Sequence, residues 1–506
     1  MARGNAIVRV PTGISGFDQV ALGGLPFGRC TLVSGTTGSG KTLFAVEFLA
    51  RGITRFDEPG VFVSFEETSA DIRRNSASLG FDIERWEDER KWVFVDVSAA
   101  IAEDVPTIGG YDFGALVARI EHAVRSAGAR RVALDSLGAV FARFVDVGVV
   151  RHELFRIAAA LEVLGVTAVL TAERPEEYDG VSRYGVEEFV LDNVIILRNV
   201  LRGERRRRTI EIVKFRGAPH RTGEWLFTID PNEGIVVVPL AFLKPRERAS
   251  VVRVSSGNAE LDEMCGGGFY RDSIILITGP TGTGKTLTSL RFAATAVAAG
   301  ERCLLYTFDE TREQLLRNAA GWGLDLEAME ESGSLRIVSD YPEVASLEDH
   351  FLQLRSFVEE FAPTRLVIDT LSALERIGPP RALLDFVIAL GAVLRQNEIT
   401  TLLTSAPTGR ISSVGTPAIT MEIASLTDVS ILLRYVERAG EIRRVIAVLQ
   451  TRGSAHDQSI REVTIDNAGM HIGEPVSGFS HILMGSIVLP AGPWGTGPED
   501  AGPTVE

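Results

Sequence analysis

The sequence predicts an α/β protein built from two tandem copies of one domain, each with a mostly parallel β-sheet flanked by helices. Three observations predict this fold class. The chain has 506 residues, a length that allows several domains at about 100–200 residues each. A glycine-rich motif occurs twice, and in each copy an apolar segment precedes it and a helical pattern follows it. Strands that alternate with helices in this way form parallel sheets covered on both faces.

The two copies of the motif occupy residues 35–42 and 279–286, and both fit G-x-x-x-x-G-K-[ST]. Their first glycines lie 244 residues apart. Three further short segments of the first half recur in the second half in the same order and at similar spacing. The pairs are Thr12-Gly13 with Ser256-Gly257, Phe65-Glu66-Glu67 with Phe308-Asp309-Glu310, and Asp135-Ser136-Leu137 with Asp369-Thr370-Leu371. Repetition at a fixed period marks duplicated structural units. We therefore expect domains at 1–245 and 246–475, followed by a flexible tail rich in Gly and Pro at 476–506.

The segments around each motif predict the elements of the domain in order. The apolar runs 30–34 and 274–278 predict strands, and the patterns at 43–51 and 287–299 predict helices. In each half a second apolar run then ends in an acidic residue, at Asp135 and at Asp369. This order of strand, glycine loop, helix and acidic strand end is the context of a phosphate-binding P-loop.

A glycine loop of this kind can bind phosphate because it turns backbone N–H groups towards the ligand at the positive end of a helix. In that arrangement Lys41 and Lys285 reach the β- and γ-phosphates of a nucleotide, which we expect to be ATP. The motif hydroxyls and the strand-end carboxylates suit Mg²⁺, which takes oxygen ligands. These four residues are Thr42, Thr286, Asp135 and Asp369. A glycine turn beside an incidental lysine is the alternative, and the acidic strand ends favour the P-loop over it.

An acidic pair follows another predicted strand in each half. Phosphoryl transfer needs a carboxylate that orients or deprotonates the attacking oxygen, and Glu66 and Glu67 suit that role for a water molecule. The second half has Asp309 and Glu310. Because Asp309 is one methylene shorter than Glu66, it reaches ~1 Å less far, which could alter the rate or the choice of nucleophile. The alternative is a pair of solvated acids at a strand end.

Two basic segments lie about one domain length beyond the motifs, at 214–220 and 450–456. A cation there could act on the γ-phosphate bound by a neighbouring subunit, as an arginine finger does. The alternative is a hairpin turn with exposed charge. The arginine run 205–208 could face nucleic acid or the lumen of a ring, but we expect it to form a solvated β-turn between two strands.

The composition predicts a cytoplasmic globular protein. With 45% hydrophobic and 24% charged residues, the chain can bury sizeable cores. No apolar run reaches the ~18–20 residues that cross a membrane, and the first residues carry no secretion signal. Cys30, Cys265 and Cys303 form no CxxC pair, so we expect core thiols and neither a disulfide framework nor a zinc site. The net charge of −15 disfavours a large nucleic-acid surface.

Taken together, these motifs resemble the KaiC family of circadian-type ATPases. The likeness covers about residues 8–475 and includes the stretches 12–18, 61–68, 198–208, 452–454 and 456–457, which read TGISGFD, VFVSFEET, RNVLRGERRRR, RGS and HD. The resemblance implies two RecA-like P-loop NTPase domains that form two stacked hexameric rings, with ATP at each subunit interface. It also implies a slow ATPase in the N-terminal domain and a C-terminal domain that phosphorylates and dephosphorylates itself.

The resemblance implies two sets of ATP-binding residues. The first set comprises Gly35, Thr36, Thr37, Gly38, Ser39, Gly40, Lys41, Thr42, Leu43 and Ser78, joined by Lys214, Phe215, Arg216, His220 and Asp230 of a neighbouring subunit. The second set comprises Thr281, Gly282, Thr283, Gly284, Lys285, Thr286, Leu287, Trp322, Arg444 and Arg452. By the same likeness the metal ligands are Thr42, Thr286 and Asp309.

The chain departs from the family pattern at several of these places. The family phosphorylates an adjacent Ser-Thr pair, and here that pair reads Ala424-Ser425, so Ser425 is the acceptor candidate. Asp309 replaces the usual glutamate, and Gln450 stands where the first domain has Lys214. Loss of that cation should weaken γ-phosphate stabilisation.

Three functions are consistent with these residues. The first is a hexameric Mg·ATP-dependent ATPase with Ser/Thr autokinase and autophosphatase activity at Ser425, acting in circadian-type timing or signalling. The second is a nucleotide-gated signalling scaffold with weak or no kinase activity, and the third is a RecA-type DNA motor. The partners we expect are further copies of the chain, a KaiB-like protein, and a response regulator or histidine kinase, with no membrane and no nucleic acid.

Overall fold

The computed structural model describes residues 7–97, 113–141, 146–178, 180–183, 185–202, 205–238, 250–406, 418–438 and 440–476. The chain divides into two compact units, Met1–Phe242 and Leu243–Glu506. Each unit contains a nine-stranded, mostly parallel sheet flanked by helices. The predicted fold class is confirmed. The predicted boundary between residues 245 and 246, and all of the predicted tail beyond residue 476, lie outside the described residues.

The first unit alternates strands and helices up to its last hairpins. Its strands are β1 (Arg9–Val10), β2 (Leu25–Pro26), β3 (Cys30–Gly35), β4 (Gly60–Ser64), β5 (Trp92–Asp96), β6 (Arg131–Asp135), β7 (Thr167–Glu173), β8 (Asn193–Arg202), β9 (Arg205–Phe215), β10 (Glu224–Asp230) and β11 (Gly234–Val237). Its helices are α1 (Phe17–Val20), α2 (Lys41–Phe56), α3 (Ser69–Ala77), α4 (Ile83–Asp88), α5 (Phe113–Ala127), α6 (Leu137–Phe141), α7 (Val147–Val163) and α8 (Glu187–Val190).

The second unit repeats this order. Its strands are β12 (Arg253–Val254), β13 (Phe269–Tyr270), β14 (Ile274–Thr278), β15 (Cys303–Thr307), β16 (Leu335–Ser339), β17 (Arg365–Asp369), β18 (Thr400–Ser405), β19 (Val429–Arg438), β20 (Glu441–Thr451), β21 (Arg461–Asp466) and β22 (Gly469–Pro475). Its helices are α9 (Ala259–Met264), α10 (Lys285–Ala298), α11 (Arg312–Ala320), α12 (Leu326–Glu331), α13 (Leu347–Phe361), α14 (Leu371–Leu374), α15 (Pro380–Gln396) and α16 (Ala418–Leu426), with a 3₁₀ turn at Pro342–Val344.

Both sheets have the same strand order. In the first it is β5-β4-β6-β7-β3-β8-β9-β10-β11, and in the second it is β16-β15-β17-β18-β14-β19-β20-β21-β22. The first six strands of each series are parallel, and the remaining pairings are antiparallel. The carboxyl ends of the parallel strands therefore meet at one edge of the sheet, which we call the loop edge. We call the opposite edge, where these strands begin, the amino edge.

The parallel strands are apolar because helices cover both of their faces. The strands β3, β4 and β6 are buried along their whole length. On one face, Phe44 and Phe48 of the P-loop helix α2 are fully buried in the core. Helices α5 and α7 cover the other face with residues such as Leu116 and Leu154. This burial fixes the positions of the strand ends that carry the polar residues of the site.

A buried arginine begins the acidic strand in each unit. Arg131 donates to Glu58 at 2.7 Å and to the carbonyl oxygen of Pro11 at 2.9 Å. Arg365 donates to Glu301 at 2.6 Å and to the carbonyl oxygen of Ser255 at 2.8 Å. A buried cation is stable only when such partners replace its water. Each arginine therefore ties the first residues of its unit to the strand that ends in the candidate metal ligand.

The predicted strands and helices around both glycine motifs are confirmed, whereas the β-turn predicted at 205–208 is wrong. These four arginines belong to β9, and their register partners are the last residues of β8. The hairpin is longer than its apolar residues indicate, because backbone pairing continues past them. Residues 203 and 204, which connect the two strands, lie outside the described residues.

Two further predictions concern the state of the cysteines and helices that could cross a membrane. All three cysteines are free and buried, as predicted, and burial raises the pKa of the Cys30 thiol to about 12. Across the residues that the structure describes, no helix has the length and apolar character needed to cross a membrane.

Candidate functional site

The first glycine loop joins the end of β3 to the start of α2. Gly38 and Gly40 have φ angles of 74° and 99°, a left-handed backbone that glycine adopts without strain. Lys41 is the first residue of α2, and its Nζ donates to the carbonyl oxygen of Thr36 at 2.9 Å. The loop thus folds around the lysine at the positive end of a helix, as a phosphate site requires.

The second glycine loop has the same geometry. Gly282 and Gly284 have φ angles of 81° and 108°. Lys285 begins α10 and donates to the carbonyl oxygens of Gly279 at 2.7 Å and Pro280 at 2.9 Å. Both predicted P-loops therefore have the strand, loop and helix that their motif requires.

Burial lowers the pKa of both loop lysines, and nearby carboxylates oppose this change. The carboxylates that act on Lys41 are Glu173, Asp135, Glu66 and Glu177. Those that act on Lys285 are Asp369 and Asp309. More acidic groups therefore act on the loop lysine of the first unit than on that of the second.

A threonine and an aspartate come together at each loop in the arrangement that a magnesium site needs. Thr286 Oγ1 donates to Asp369 Oδ2 at 2.7 Å, and Thr42 donates to Asp135. Burial raises the pKa of both carboxyl groups, whereas these hydroxyl bonds and the loop lysine oppose the rise. A hydroxyl beside a carboxylate is a hard oxygen donor set, which Mg²⁺ prefers. The four residues therefore fit the ion predicted from the sequence.

The acidic pair of the first unit follows β4 and lies beside this aspartate. Ser136 Oγ donates to Glu66 Oε1 at 2.7 Å, and Asn75 Nδ2 donates to Glu67 Oε2 at 3.3 Å. Burial, followed by repulsion from Asp135, raises the pKa of Glu67. The structure therefore brings both glutamates to the loop edge, with Glu66 held by a hydroxyl from the end of the acidic strand.

The second unit holds the corresponding acid differently. Asp309 Oδ1 lies 3.7 Å from Arg376 Nη2, and Arg376 also donates to Glu343 at 2.9 Å. Thr370 takes the position of Ser136, but its hydroxyl donates to the carbonyl oxygen of Thr404 at 3.0 Å. Asp309 therefore lies beside a cation, whereas Glu66 lies beside a hydroxyl.

Glu310, by contrast, repeats the environment of its counterpart Glu67. Asn318 Nδ2 donates to Glu310 Oε2 at 3.1 Å. Burial, followed by repulsion from Asp369, raises the pKa of Glu310. The surroundings of the first acid of the pair, Glu66 or Asp309, thus differ between the two units. The second acid, Glu67 or Glu310, has the same kind of surroundings in both.

Two residues that the sequence did not single out hold the first loop in place. Glu177 accepts a hydrogen bond from Thr36 Oγ1 and another from the backbone N–H of Asn199. Asn199 Nδ2 donates to the carbonyl oxygen of Gly38 at 3.3 Å. Glu173 was also missed, although it ends an apolar run as the predicted metal-binding aspartates do, and that pattern could have identified it.

In the second unit the loop is held by an aromatic residue and by a predicted ligand. Tyr435 OH donates to the carbonyl oxygen of Thr281 at 3.2 Å. Arg444 Nε donates to the carbonyl oxygen of Gly282 at 3.0 Å. Tyr435 takes the position of Asn199 in the aligned hairpins, so both units use this position to bind their own loop.

The remaining residues predicted in and beside the two glycine loops differ in their burial. Thr37 is exposed, Ser39 and Thr283 are buried, and Leu43 and Leu287 pack against the core. Thr283 Oγ1 donates within its loop to the carbonyl oxygen of Pro280 at 2.8 Å.

Most of the residues predicted to act on a neighbouring subunit lie at the amino edge. Phe215 of β9 is the register partner of Asn193 of β8, and Asn193 is in turn the register partner of Thr31 of β3. Gly35 is four residues further along β3, about 13 Å at 3.3 Å per residue. These residues are therefore remote from the P-loop of their own chain. They are Lys214, Phe215, Arg216 and His220.

Backbone and side-chain oxygens fix the cations of this group. Lys214 Nζ donates to the carbonyl oxygens of Glu188 at 3.0 Å and Leu191 at 2.8 Å. Arg216 Nη1 lies 3.2 Å from Asp192 Oδ1. Both side chains are thus held at the start of β8.

Ser425 lies at the amino edge of the second sheet, on α16 just before β19. Arg452 donates from its guanidinium to the carbonyl oxygen of Ser425, and Gln450 Nε2 donates to that of Thr427 at 3.5 Å. Ser425 Oγ is exposed and donates to the carbonyl oxygen of Glu422 at 2.6 Å. The acceptor candidate and the cation candidate are therefore neighbours at the amino edge.

Three predicted nucleotide contacts lie elsewhere. Asp230 follows Ile229, whose side chain would be 3.6 Å from a Cβ built on Gly40, so Asp230 lies at the loop edge of its own chain. Ser78 Oγ donates to the carbonyl oxygen of Asn75, and Trp322 is half-buried against the core. Their contacts with a nucleotide stay predictions.

Comparison with known proteins gives consistent matches over almost the whole chain. A family model described as "ATPase: KaiC" matches residues 10–241 and 254–477. "Circadian clock protein KaiC3" of Synechocystis is 52% identical over 487 residues, which are 96% of this chain and 96% of the relative. "Circadian clock oscillator protein KaiC" of Synechococcus elongatus is 50% identical over 482 residues, 95% of this chain and 92% of the relative. The protein of the same name from Prochlorococcus marinus is 47% identical over 482 residues.

Proposed function

The chain belongs to the KaiC family of ATPases, and from that premise we propose that it assembles with ATP into a homohexamer of two stacked rings. In this proposal the first unit hydrolyses Mg·ATP, and the second unit phosphorylates and dephosphorylates Ser425. The relatives are named as circadian clock proteins, so we assign the activity to circadian-type timing or signalling in the cytoplasm. A KaiB-like protein and a response regulator or histidine kinase are the partners we expect.

One observation carries the proposal: each unit has its P-loop at one edge of the sheet and the cations of its basic segment, 214–220 or 450–456, at the other. Arg444 lies outside these segments and contacts its own loop. Lys41 and Lys285 lie at the loop edge, whereas Lys214, Arg216 and Arg452 lie at the amino edge. Residues on opposite edges can serve one nucleotide only when two chains supply them. In a closed ring, each chain contributes its loop edge to one neighbour and its amino edge to the other.

In the first unit the residues at the loop edge suit hydrolysis. Lys41 would bind the β- and γ-phosphates, and Asp135 with Thr42 would hold Mg²⁺, which when bound neutralises charge on the phosphate oxygens. Glu66, fixed by Ser136, would accept the proton of the attacking water.

In the second unit the acceptor would be a protein hydroxyl. Ser425 of one chain would approach the P-loop of the next, with Arg452 beside it. The Ser425 oxygen forms a bond to the γ-phosphorus, the bond to the bridging oxygen breaks, and ADP leaves with the electron pair. Asp309 would accept the serine proton. Dephosphorylation would pass the phosphoryl group from Ser425 to water, which leaves as inorganic phosphate, or back to ADP, which leaves as ATP, and the serine oxygen would regain a proton.

A second candidate is a nucleotide-gated signalling scaffold without kinase activity. The contact between Asp309 and Arg376 favours it, because a carboxylate turned towards a cation is less available to an incoming hydroxyl. The neutral Gln450 in place of Lys214 also favours it. In that function ATP would assemble the ring, and partner binding would be the output.

One experiment separates the two candidates. The purified chain is incubated with Mg²⁺ and γ-labelled ATP, its size is measured with and without nucleotide, and label on the protein is mapped by mass spectrometry. We expect ATP-dependent hexamers with label at Ser425 that is lost in Ser425→Ala. Hexamers without label would support the scaffold, and a monomer at saturating ATP would contradict both.

A further inference from the structure

Glu173 lies directly beside the first P-loop and has no role in the site described so far. It ends β7, and its register partner in β3 is Gly35, the first glycine of the loop. It points to the same face of the sheet as Thr171, two residues earlier, and Thr171 donates to Asp135. Of the carboxylates that oppose the lowered pKa of Lys41, Glu173 acts most strongly.

Gly138 has no side chain, and this leaves room for about one further atom beside both Glu173 and the hydroxyl that holds Glu66. Gly138 borders this space, and a Cβ built on Gly138 would lie 3.6 Å from Ser136 Oγ and 3.9 Å from Glu173 Cγ. Ser136 Oγ in turn donates to Glu66. Two carboxylates, Glu66 and Glu173, therefore flank Ser136 on the side of the loop lysine.

Glu173 also lies near a cation, Arg183. Arg183 Nη1 lies 3.9 Å from Glu173 Oε2, and the two side chains are 58% and 40% exposed. A loose, solvated ion pair of this kind is weak, so it does not hold the carboxylate oxygens of Glu173 in one fixed contact. A carboxylate has several lone pairs, and Glu173 can accept further hydrogen bonds.

The second unit fills the same space with different groups. Ser372 stands where the first unit has Gly138, and Ala406 follows β18 where the first unit has Glu173. The Ser372 hydroxyl is 2.9 Å from Thr370 Oγ1 and accepts from the backbone N–H of Ala406 at 3.1 Å. Of the two positions that carry Glu66 and Glu173 in the first unit, only the first carries a carboxylate in the second unit, and that residue is Asp309.

We propose that Glu173 and Glu66 together bind the attacking water in the first unit, and that this pair selects water over an alcohol as the phosphoryl acceptor. The inference rests on the proposed function, since it explains why one unit would hydrolyse and the other would transfer. Water has two O–H donors and can satisfy both carboxylates while a lone pair faces the phosphate. A serine has one O–H donor, so it suits a site with one carboxylate.

The reaction balances without any further reactant. The water oxygen bonds to the γ-phosphorus, and the bond from phosphorus to the bridging oxygen breaks, with ADP taking the electron pair. One water proton passes to Glu66 and then to solvent. The other remains on the phosphate that is released. Glu173 touches the attacking water in this scheme, so it is a catalytic residue that orients water and takes no proton.

The test uses the full chain carrying Lys285→Ala, so that only the first unit turns over. In this background Glu173→Ala and Glu173→Gln are compared with Glu176→Gln, an exposed control three residues away. Phosphate release is measured with ethylene glycol present, and the ratio of glycol phosphate to inorganic phosphate is determined. Binding of ADP with aluminium fluoride, an analogue of the transferring phosphate, is compared with binding of a non-hydrolysable ATP analogue.

We expect both Glu173 variants to lower kcat about tenfold at an unchanged KM and to raise the glycol phosphate ratio several-fold. They should also weaken binding of the aluminium fluoride complex about tenfold relative to the ATP analogue, because positioning acts on the transition state. The Glu176 control should change none of these. Equal product ratios and equal analogue binding in the parent and the Glu173 variants would overturn the inference.

The failure of the inference can be told apart from failure of the proposed function. If phosphate release by the parent does not depend on Lys41, tested with Lys41→Ala, the first unit is not the proposed ATPase. If release depends on Lys41 but not on Glu173, only the inference about water selection fails.

Discussion

Ser136 Oγ donates a hydrogen bond of 2.7 Å to Glu66 Oε1. This bond joins the residue after the acidic strand β6 to the second residue after β4, and it fixes the direction of the carboxylate. In the second unit Thr370 donates to a backbone carbonyl, and Asp309 lies 3.7 Å from Arg376. Two copies of one fold thus hold their candidate bases by different interactions.

Removing the hydroxyl at position 136 should slow hydrolysis by the first unit. We expect Ser136→Ala to lower the rate of phosphate release about tenfold, because a carboxylate free to rotate spends less time in line with the attacking oxygen. ATP affinity should be unchanged. Ser136→Thr keeps the hydroxyl and should retain most of the rate. An unchanged rate in Ser136→Ala would mean that this bond does not position Glu66.

Lengthening the acid of the second unit should increase phosphorylation of Ser425. Asp309→Glu would extend the carboxylate by ~1 Å, beyond its present contact with Arg376. We expect several-fold faster labelling from γ-labelled ATP, and strong loss of labelling in Asp309→Asn. Equal rates in the parent and in both variants would show that Asp309 is not the base.

Placing a lysine at position 450 should also increase phosphorylation of Ser425. Lys214 in the first unit is anchored by two backbone carbonyls, and Gln450 already donates to the carbonyl of Thr427. We therefore expect Gln450→Lys to fit and to raise the rate of Ser425 labelling about tenfold, since trans cations stabilise the transferring phosphate. The reverse change, Lys214→Gln, should slow phosphate release by the first unit. Neither change should alter folding, as measured by thermal denaturation.

Glu47 should make the stability of the first unit depend on pH. Its carboxylate is fully buried beneath Gly234, accepts from the N–H of Ile235 and faces Arg51 and Arg55. Burial raises the pKa of Glu47 from 4.5 to about 7. Because the folded form holds the proton more tightly, stability is greatest below pH 4.5 and falls as pH rises to about 7, at no more than about 1.4 kcal/mol per pH unit.

This dependence can be measured with one variant and one control. Glu47→Gln should flatten the change in unfolding temperature of the first unit between pH 5 and pH 7.5. Glu84→Gln, which alters an exposed glutamate of α4, should leave the dependence as in the parent. A parent protein whose unfolding temperature rises over this range, with Glu47→Gln showing the same rise, would contradict the assignment.

The sequence was sufficient for those parts of the site that are close together along the chain. The glycine loops, their lysines and their threonines occupy eight consecutive positions in each half, so the motif alone places them at a strand-to-helix turn. The positions of Asp135 and Asp369 beside the glycine loops could be predicted, because an apolar run that ends in an acid is typical of a parallel strand whose carboxyl end lies at the loop edge.

The contacts that distinguish the two units could not be predicted, because they join residues far apart in the sequence. Glu177 and Thr36 are separated by 141 positions, and only the strand order brings them together. The same holds for Glu173 beside Gly35 and for Arg376 beside Asp309. The arginines at 205–208 were misassigned because strand length follows backbone pairing, which side-chain polarity does not reveal.

The central claim is that each nucleotide site combines the loop edge of one chain with the amino edge of another. Mixed rings of two inactive chains test it most directly. Ser425→Ala keeps the second P-loop but lacks the acceptor, and Lys285→Ala keeps the acceptor but lacks the loop lysine. Each alone should remain unlabelled by γ-labelled ATP, and a mixture should label Ser425 of the Lys285→Ala chain. A mixture that assembles into hexamers and stays unlabelled, while the parent is labelled, would contradict the claim.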